Sequence, residues 1–195
     1  MISISPYDAS WPRSYELIRE RVGHALGEIA LGVEHVGSTA VPGLAAKPII
    51  DVDVLVERGR LQEAIRRLGE IGYEHEGDLG IQGREAFRSR LPGPAHHLYV
   101  CVAGTPEWER HLRFRDRLRA SASLAAKYAE LKLALAKRHA GDRDAYTEAK
   151  AGSSSGYSRT RRRSRRHDDL TARQDIIERL VDFSRAAILR RALLD

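Results

Sequence analysis

Asp51 and Asp53 lie two residues apart in the apolar run Ile-Ile-Asp-Val-Asp-Val-Leu-Val, residues 49–56. Side chains alternate faces along an extended strand, so the two carboxylates share one face while Val52, Val54 and Val56 pack on the other. Two like charges held that close repel, and removing them from water adds to the cost. A cation or a shared proton relieves both. Twelve residues separate Asp51 from the pair Gly37-Ser38. A glycine lets a ligand approach the backbone closely, and a serine hydroxyl with neighbouring amides can hold a phosphate. Mg²⁺ (or Mn²⁺) on Asp51 and Asp53 would bridge phosphate oxygens and offset their charge. Many strands end in an acidic pair with no such role. Here both acids sit inside a run that must pack against a core, with a Gly-Ser turn upstream.

Several cations could meet the same ligand. Lys47 lies between the Gly-Ser pair and the acids. Arg84, Arg88 and Arg90 share one face of a strand by alternation, and Arg115 and Arg119 share a helix face at a spacing of four. Lys132 follows on the next helix. Guanidinium forks suit bidentate phosphate contact, although any one of these residues alone is an ordinary surface charge. Asp116 is placed to pair with an arginine and orient it.

The elements that must position these groups can be read in order. Ser10 as N-cap and Pro12 in the first turn open a helix to about Ile29, with a stripe of Tyr15, Ile18, Val22, Ala25 and Leu26. Gly32 breaks the pattern, and Val33 to Val36 reads as a strand ending at the Gly-Ser pair. After the acidic strand, Leu61, Ala64, Ile65 and Leu68 mark a helix from Arg58 to Ile71, closed by Gly72. Tyr73 to Glu76 is a short strand. Gly77 to Pro94 reads as a hairpin segment with Glu85 to Leu91 as its second strand, and residues 96–102 form another strand. Thr105 and Pro106 open a helix carrying His111, Leu112, Phe114 and Leu118. Further helices are expected over residues 124–139 and 142–150. This order predicts an α/β (α+β) domain with a mixed central sheet flanked by helices.

The chain has 195 residues, 42% hydrophobic and 31% charged, enough for one domain with a real core and an appendage. Its single cysteine, Cys101, excludes an internal disulfide framework and suits a reducing compartment. No signal sequence is read at the N-terminus, and no apolar run has the length of a membrane span. A cytoplasmic protein without membrane association is expected. The formal charge of +6 points to anionic partners. Six arginines fall between Arg159 and Arg166, after a Ser/Gly stretch. Residues 1–150 read as the domain, 151–169 as a linker, and 170–195 as an amphipathic C-terminal helix. Such a basic run would attract nucleic acid without sequence preference, or serve as a solvated linker. Oligomeric state is not legible.

The Gly37-Ser38 pair with Asp51-Val-Asp53 resembles the signature of the nucleotidyltransferase superfamily related to DNA polymerase beta. The longer string from His35 to Val52, HVGSTAVPGLAAKPIIDV, resembles the GrpB family within it. His97 with Tyr99 and Val100, the segment Arg110 to Arg119, and the pairs Tyr128/Lys132 and Tyr146/Lys150 extend the likeness over residues 4–150. The resemblance implies a nucleotidyltransferase-like fold, catalytic and metal-holding roles for Asp51 and Asp53, and phosphate contacts from Gly37, Ser38, Lys47, Arg115 and Lys132. The same domain occurs fused to dephospho-CoA kinases, which implies a nucleotide- or coenzyme-A-related ligand. One departure stands out. Active superfamily members carry a third carboxylate on a later strand, whereas residues 96–102 contain no acid. His97 and Tyr99 share a face there and are the candidates for that place, His97 as ligand or base. A nucleotide-binding module without turnover and an RNA-associated protein are the alternatives.

Overall fold

In the computed structural model, which describes residues 3–138, Ser3–Leu133 forms one compact unit. Helix α1 (Trp11–Leu26) leads into strand β1 (Ala30–Val36), followed by β2 (Ile50–Val56), α2 (Leu61–Glu70), β3 (Tyr73–Gly77), β4 (Arg84–Ser89), β5 (His96–Val102), α3 (Pro106–Ala120) and α4 (Ala122–Arg138). The five strands form one sheet in the order β1-β2-β5-β4-β3. Only β2 and β5 run parallel; the other neighbours are antiparallel. The expected mixed sheet flanked by helices is what forms.

The alternation read in β2 sorts the molecule into two faces. Val52, Val54 and Val56 are fully buried with Leu98, Val100 and Phe87, and meet Ile18, Val22 and Leu26 of α1 and Ala64 and Leu68 of α2. Burying each such side chain contributes about 1.5–3 kcal/mol. This face therefore secures the fold, and the opposite face is left to carry the acids beneath α3.

Several boundaries differ from expectation. The α1 pattern stops at Leu26 because Gly27 turns to φ 57°, and one 3-10 turn over Gly27–Ile29 follows. Strand β1 begins at Ala30 rather than Val33, so Gly32 lies within it, at a register shift. A Cβ there would stand 3.2 Å from the Trp108 ring, so the glycine makes room for α3. Strand β4 begins at Arg84 rather than Glu85 and ends at Ser89 rather than Leu91. Thr105 occupies the N-cap position of α3 without a side-chain cap, because its hydroxyl donates to the Val102 carbonyl at 2.6 Å. Ser10 likewise gives α1 no side-chain cap. Helix α4 starts at Ala122, two residues before Leu124. The helix over 142–150, the linker, the Arg159–Arg166 run and the C-terminal helix lie outside the described residues. No helix among the described residues is long and apolar enough to cross a membrane.

Candidate functional site

The register of the central strands lines up the polar groups in rows. Asp51 faces His97 across the parallel β2–β5 pair and Asp53 faces Tyr99, while Glu34 of β1 stands beside Asp53 on the other side. His97 Nδ1 donates to Asp51 Oδ1 at 2.9 Å. Asp53 is 0% exposed and sits under α3, where His111 Nδ1 donates to its Oδ2 at 2.6 Å. The Cys101 thiol approaches the same oxygen at 3.9 Å, and Asp53 Oδ1 has no partner among the described residues. The two carboxylates share a face as expected but not an environment. Asp51 is partly open, and Asp53 is enclosed.

The Gly-Ser turn is built onto the first of them. Strand β1 ends at Val36, Gly37 takes φ 72° and ψ −166°, and a 3-10 turn over Ser38–Ala40 follows. A Cβ on Gly37 would fall 2.2 Å from Asp51 Oδ2 and 2.9 Å from its Cγ. Only glycine fits both the backbone angle and the contact. From the far side, buried Lys132 of α4 donates to Ser38 Oγ at 3.1 Å and to the Ala45 carbonyl at 2.6 Å, with its ammonium 4.7 Å from the Tyr128 ring centre. Lys47 is half-buried on the segment entering β2. Arg115 of α3, also buried, reaches over β1. Its Nη1 donates to Glu34 at 2.6 Å and to the His35 carbonyl at 3.0 Å, and its Nε to Asp116 at 2.8 Å. Asp116 thus orients an arginine as anticipated. Of the expected site residues, the structure joins Gly37 to Asp51, Asp51 to His97, and Ser38 to Lys132. Arg115 is brought to the edge strand instead, at Glu34 and His35.

The hairpin arginines divide. Arg84 is 1% exposed, with its guanidinium 4.3 Å from the Tyr99 ring centre, whereas Arg88 pairs with Glu76 and Arg90 with Glu74 at the sheet's far edge. Alternation places a side chain on a face, but position along the strand decides whether α3 covers it. His111 was not among the expected site residues. Its spacing of four from Arg115 on one helix face was the available signal. His35 is the other omission. It donates Nε2–H to Thr39 Oγ1 at 3.0 Å, and that hydroxyl donates to the Ile49 carbonyl at 3.4 Å.

Burial and charge tune these groups. Burial, against an opposing pull from Asp51, lowers the His35 pKa to about 4, so the ring is neutral at pH 7. Burial also pushes the Tyr15 hydroxyl up to about 12 and the Cys101 thiol well above its usual value, the Asp53 charge adding to the latter. For His111, burial acts against the charged form, yet the charge of Asp53 and the hydrogen bond to it together raise the pKa. No group of three or more His, Cys, Asp or Glu suited to a metal ion occurs among the described residues. Asp51 and Asp53 are the carboxylates in the centre of the site.

The solved structure of the conserved protein GrpB from Enterococcus faecalis superposes with a TM-score of 0.70 at 30% identity, covering 92% of this chain and 98% of that one. Cid1 poly(U) polymerase bound to MgATP superposes with a TM-score of 0.51 at 15% identity, over 76% of this chain and 50% of that chain. That likeness is one of fold, and the architecture is nucleotidyltransferase-like. The UPF0157 protein YqkA of Bacillus subtilis is 36% identical over 153 residues, 76% of this chain and 44% of its own length. A UPF0157 protein of Pseudomonas aeruginosa is 40% identical over 154 residues, 76% of this chain and 63% of its own length. A dephospho-CoA kinase of Mycolicibacterium paratuberculosis is 31% identical over 175 residues, 76% of this chain and 43% of its own length. The chain therefore spans less than two thirds of these relatives. The GrpB protein family profile matches residues 1–157, and with that match and the shared fold the chain belongs to the GrpB family.

Proposed function

We propose that the chain binds a nucleotide or nucleotide-like phosphate ligand, with Mg²⁺ or Mn²⁺, where the Gly-Ser turn meets the acidic row of β2. The observation that carries this reading is the contact between Gly37 and Asp51, where even a methyl group would fall 2.2 Å from the carboxylate. A turn able to cradle phosphate and an acid able to hold a cation are thus parts of one structure. The donor set fits such a cation, since Mg²⁺ is held by one or two carboxylates with water and substrate phosphates filling the remaining places. Asp51 and Asp53 would hold it, and the oxygen of Asp53 that lacks a partner is the kind of atom it completes. When bound, the cation neutralises charge on phosphate oxygens.

The remaining roles belong to the chain's own groups. Gly37 and Ser38 offer backbone and hydroxyl donors, and Lys47, Lys132 and Arg115 supply positive charge around the turn. His97 donates Nδ1–H to Asp51, which leaves Nε2 as a proton acceptor. In a transfer reaction, an acceptor hydroxyl would lose its proton to that nitrogen and attack the α-phosphorus, with pyrophosphate departing in line. Titration with nucleoside triphosphates and dephospho-CoA, with and without Mg²⁺ or Mn²⁺, tests the reading. Metal-dependent binding and pyrophosphate release that vanish in Asp51→Asn and Asp53→Asn are expected. Binding of neither metal nor nucleotide overturns it.

A second reading is a binding module without turnover, favoured by the absence of any acid on β5 and by the imidazole already hydrogen-bonded to each carboxylate. The resemblance to a dephospho-CoA kinase makes dephospho-CoA its first ligand to try. Metal-dependent binding with no pyrophosphate release from any acceptor selects this reading.

A further inference from the structure

A cavity of about 410 Å³ opens beside β1, lined by the first turns of α1, Glu34 and His35, the segment after the Gly-Ser turn, and α3. Gly37, Ser38, Asp51 and Asp53 are not among its walls. Its volume is that of a small-ligand pocket. β1 is an edge strand, which would ordinarily suit an added strand, but two of its carbonyls are already taken. Tyr15 Oη donates to Val33 at 2.8 Å and Arg115 Nη1 to His35 at 3.0 Å. An extended peptide would find those acceptors occupied, so the cavity suits a compact molecule.

Its charge is decided by which groups are already engaged. The acids on its walls are neutralised, Glu16 by Arg19 at 2.6 Å and Glu34 by Arg115 at 2.6 Å. Two cations remain. Arg13 is exposed at the rim and meets no carboxylate among the described residues. Arg119 spends Nε on the Ala40 carbonyl at 2.9 Å, and its guanidinium meets no carboxylate among the described residues. Flat apolar surface lies alongside, for Tyr15 is stacked on the His35 ring at 4.8 Å and 10°, and Tyr7 also faces the cavity.

We propose that this cavity is a second ligand site, taking a small phosphorylated molecule whose anionic end meets Arg13 and Arg119 and whose ring or apolar part lies along Tyr7 and Tyr15. Guanidinium groups recognise phosphate through paired N–H donors, and a tyrosine face accepts a ring beside it. The site is wired to the first one. Thr39 and Ala40 line the cavity and belong to the same 3-10 turn as Ser38, so a ligand there presses on the turn that abuts Asp51.

The test uses the full chain in chelator-treated buffer, so that the metal-dependent reading above stands or falls separately. Inorganic phosphate and adenosine 5′-monophosphate are titrated by calorimetry, with amide NMR shifts followed at Thr39 and Ala40. Saturable binding of one or both at about 1 mM or tighter is expected, with shifts at those two amides. Arg13→Gln and Arg119→Gln should each weaken it about tenfold, while Arg90→Gln, paired with Glu74 at the sheet's far edge, leaves it unchanged. Equal affinity for both probes assigns recognition to the phosphate alone, and tighter binding of the nucleotide adds the tyrosine wall; either supports the site. Absence of binding by both probes, binding indifferent to Arg13→Gln and Arg119→Gln, or equal weakening by Arg90→Gln overturns it. Arg13 is exposed on the first turn of α1, so its variant should retain the wild-type melting profile and keep the comparison clean.

Discussion

Gly37 shows how one residue ties a turn to a carboxylate on the neighbouring strand. Its positive φ alone disfavours any other residue, and the space a methyl group would need is held by Asp51. Gly37→Ala should therefore destabilise the protein by about 1–3 kcal/mol in urea melts. It should also displace Asp51 and abolish the metal-dependent nucleotide binding proposed above. If the variant binds Mg²⁺ and nucleotide as the wild type does, Asp51 is not a partner of the turn in binding. Asp53 illustrates a different principle. A carboxylate taken fully out of water needs partners, and His111 together with the Cys101 thiol supplies them from elements far away in the chain.

At the scale of elements, α3 and α4 turn a sheet face into a site. Helix α3 brings His111 onto Asp53 and Arg115 onto the edge of β1, and α4 tethers the Gly-Ser turn through Lys132. Lys132 donates both to Ser38 and to the Ala45 carbonyl, so it ties the turn to a point midway along the connection that leads to β2. Lys132→Met removes both bonds and should cost about 1–3 kcal/mol, clearly more than Ser38→Ala, which removes one. Urea denaturation of the two variants makes the comparison. Equal losses would mean that the bond to Ala45 contributes nothing and that α4 does not brace the connection.

For the whole molecule, stability should depend on pH with a sign that follows from two histidines. His35 has its folded pKa lowered to about 4, so between the unfolded value near 6.5 and that figure the unfolded chain binds more protons. Stability then falls as pH drops through this window, by up to about 3 kcal/mol from this group. His111 acts in the opposite sense. Its raised pKa contributes stability that is complete below the unfolded value and is lost as pH rises through the folded one. Urea melts from pH 7 to 4 should show the acid-side loss, and His35→Gln should flatten it while retaining a donor for Thr39. An unchanged slope in that variant would show that His35 is not the group responsible.

Periodicity, with candidate caps and glycine and proline breaks, determined the element order, the two-faced sheet and the shared face of Asp51 and Asp53, because strand alternation, helical spacing and turn chemistry are local properties of the backbone. Val52, Val54 and Val56 are buried and the acids oppose them for the same reason. Spacing along the chain also picked out the Gly-Ser turn. It could not show that Gly32 is a strand residue, since the reason is a tryptophan 76 positions later that needs the space. Nor could it separate Arg84 from Arg88, or bring His111 to Asp53, because burial depends on which helix crosses which row of the sheet. The tertiary structure alone decided that one carboxylate is enclosed and the other partly open. It did so through contacts between residues more than 40 positions apart, where no local rule of sequence operates.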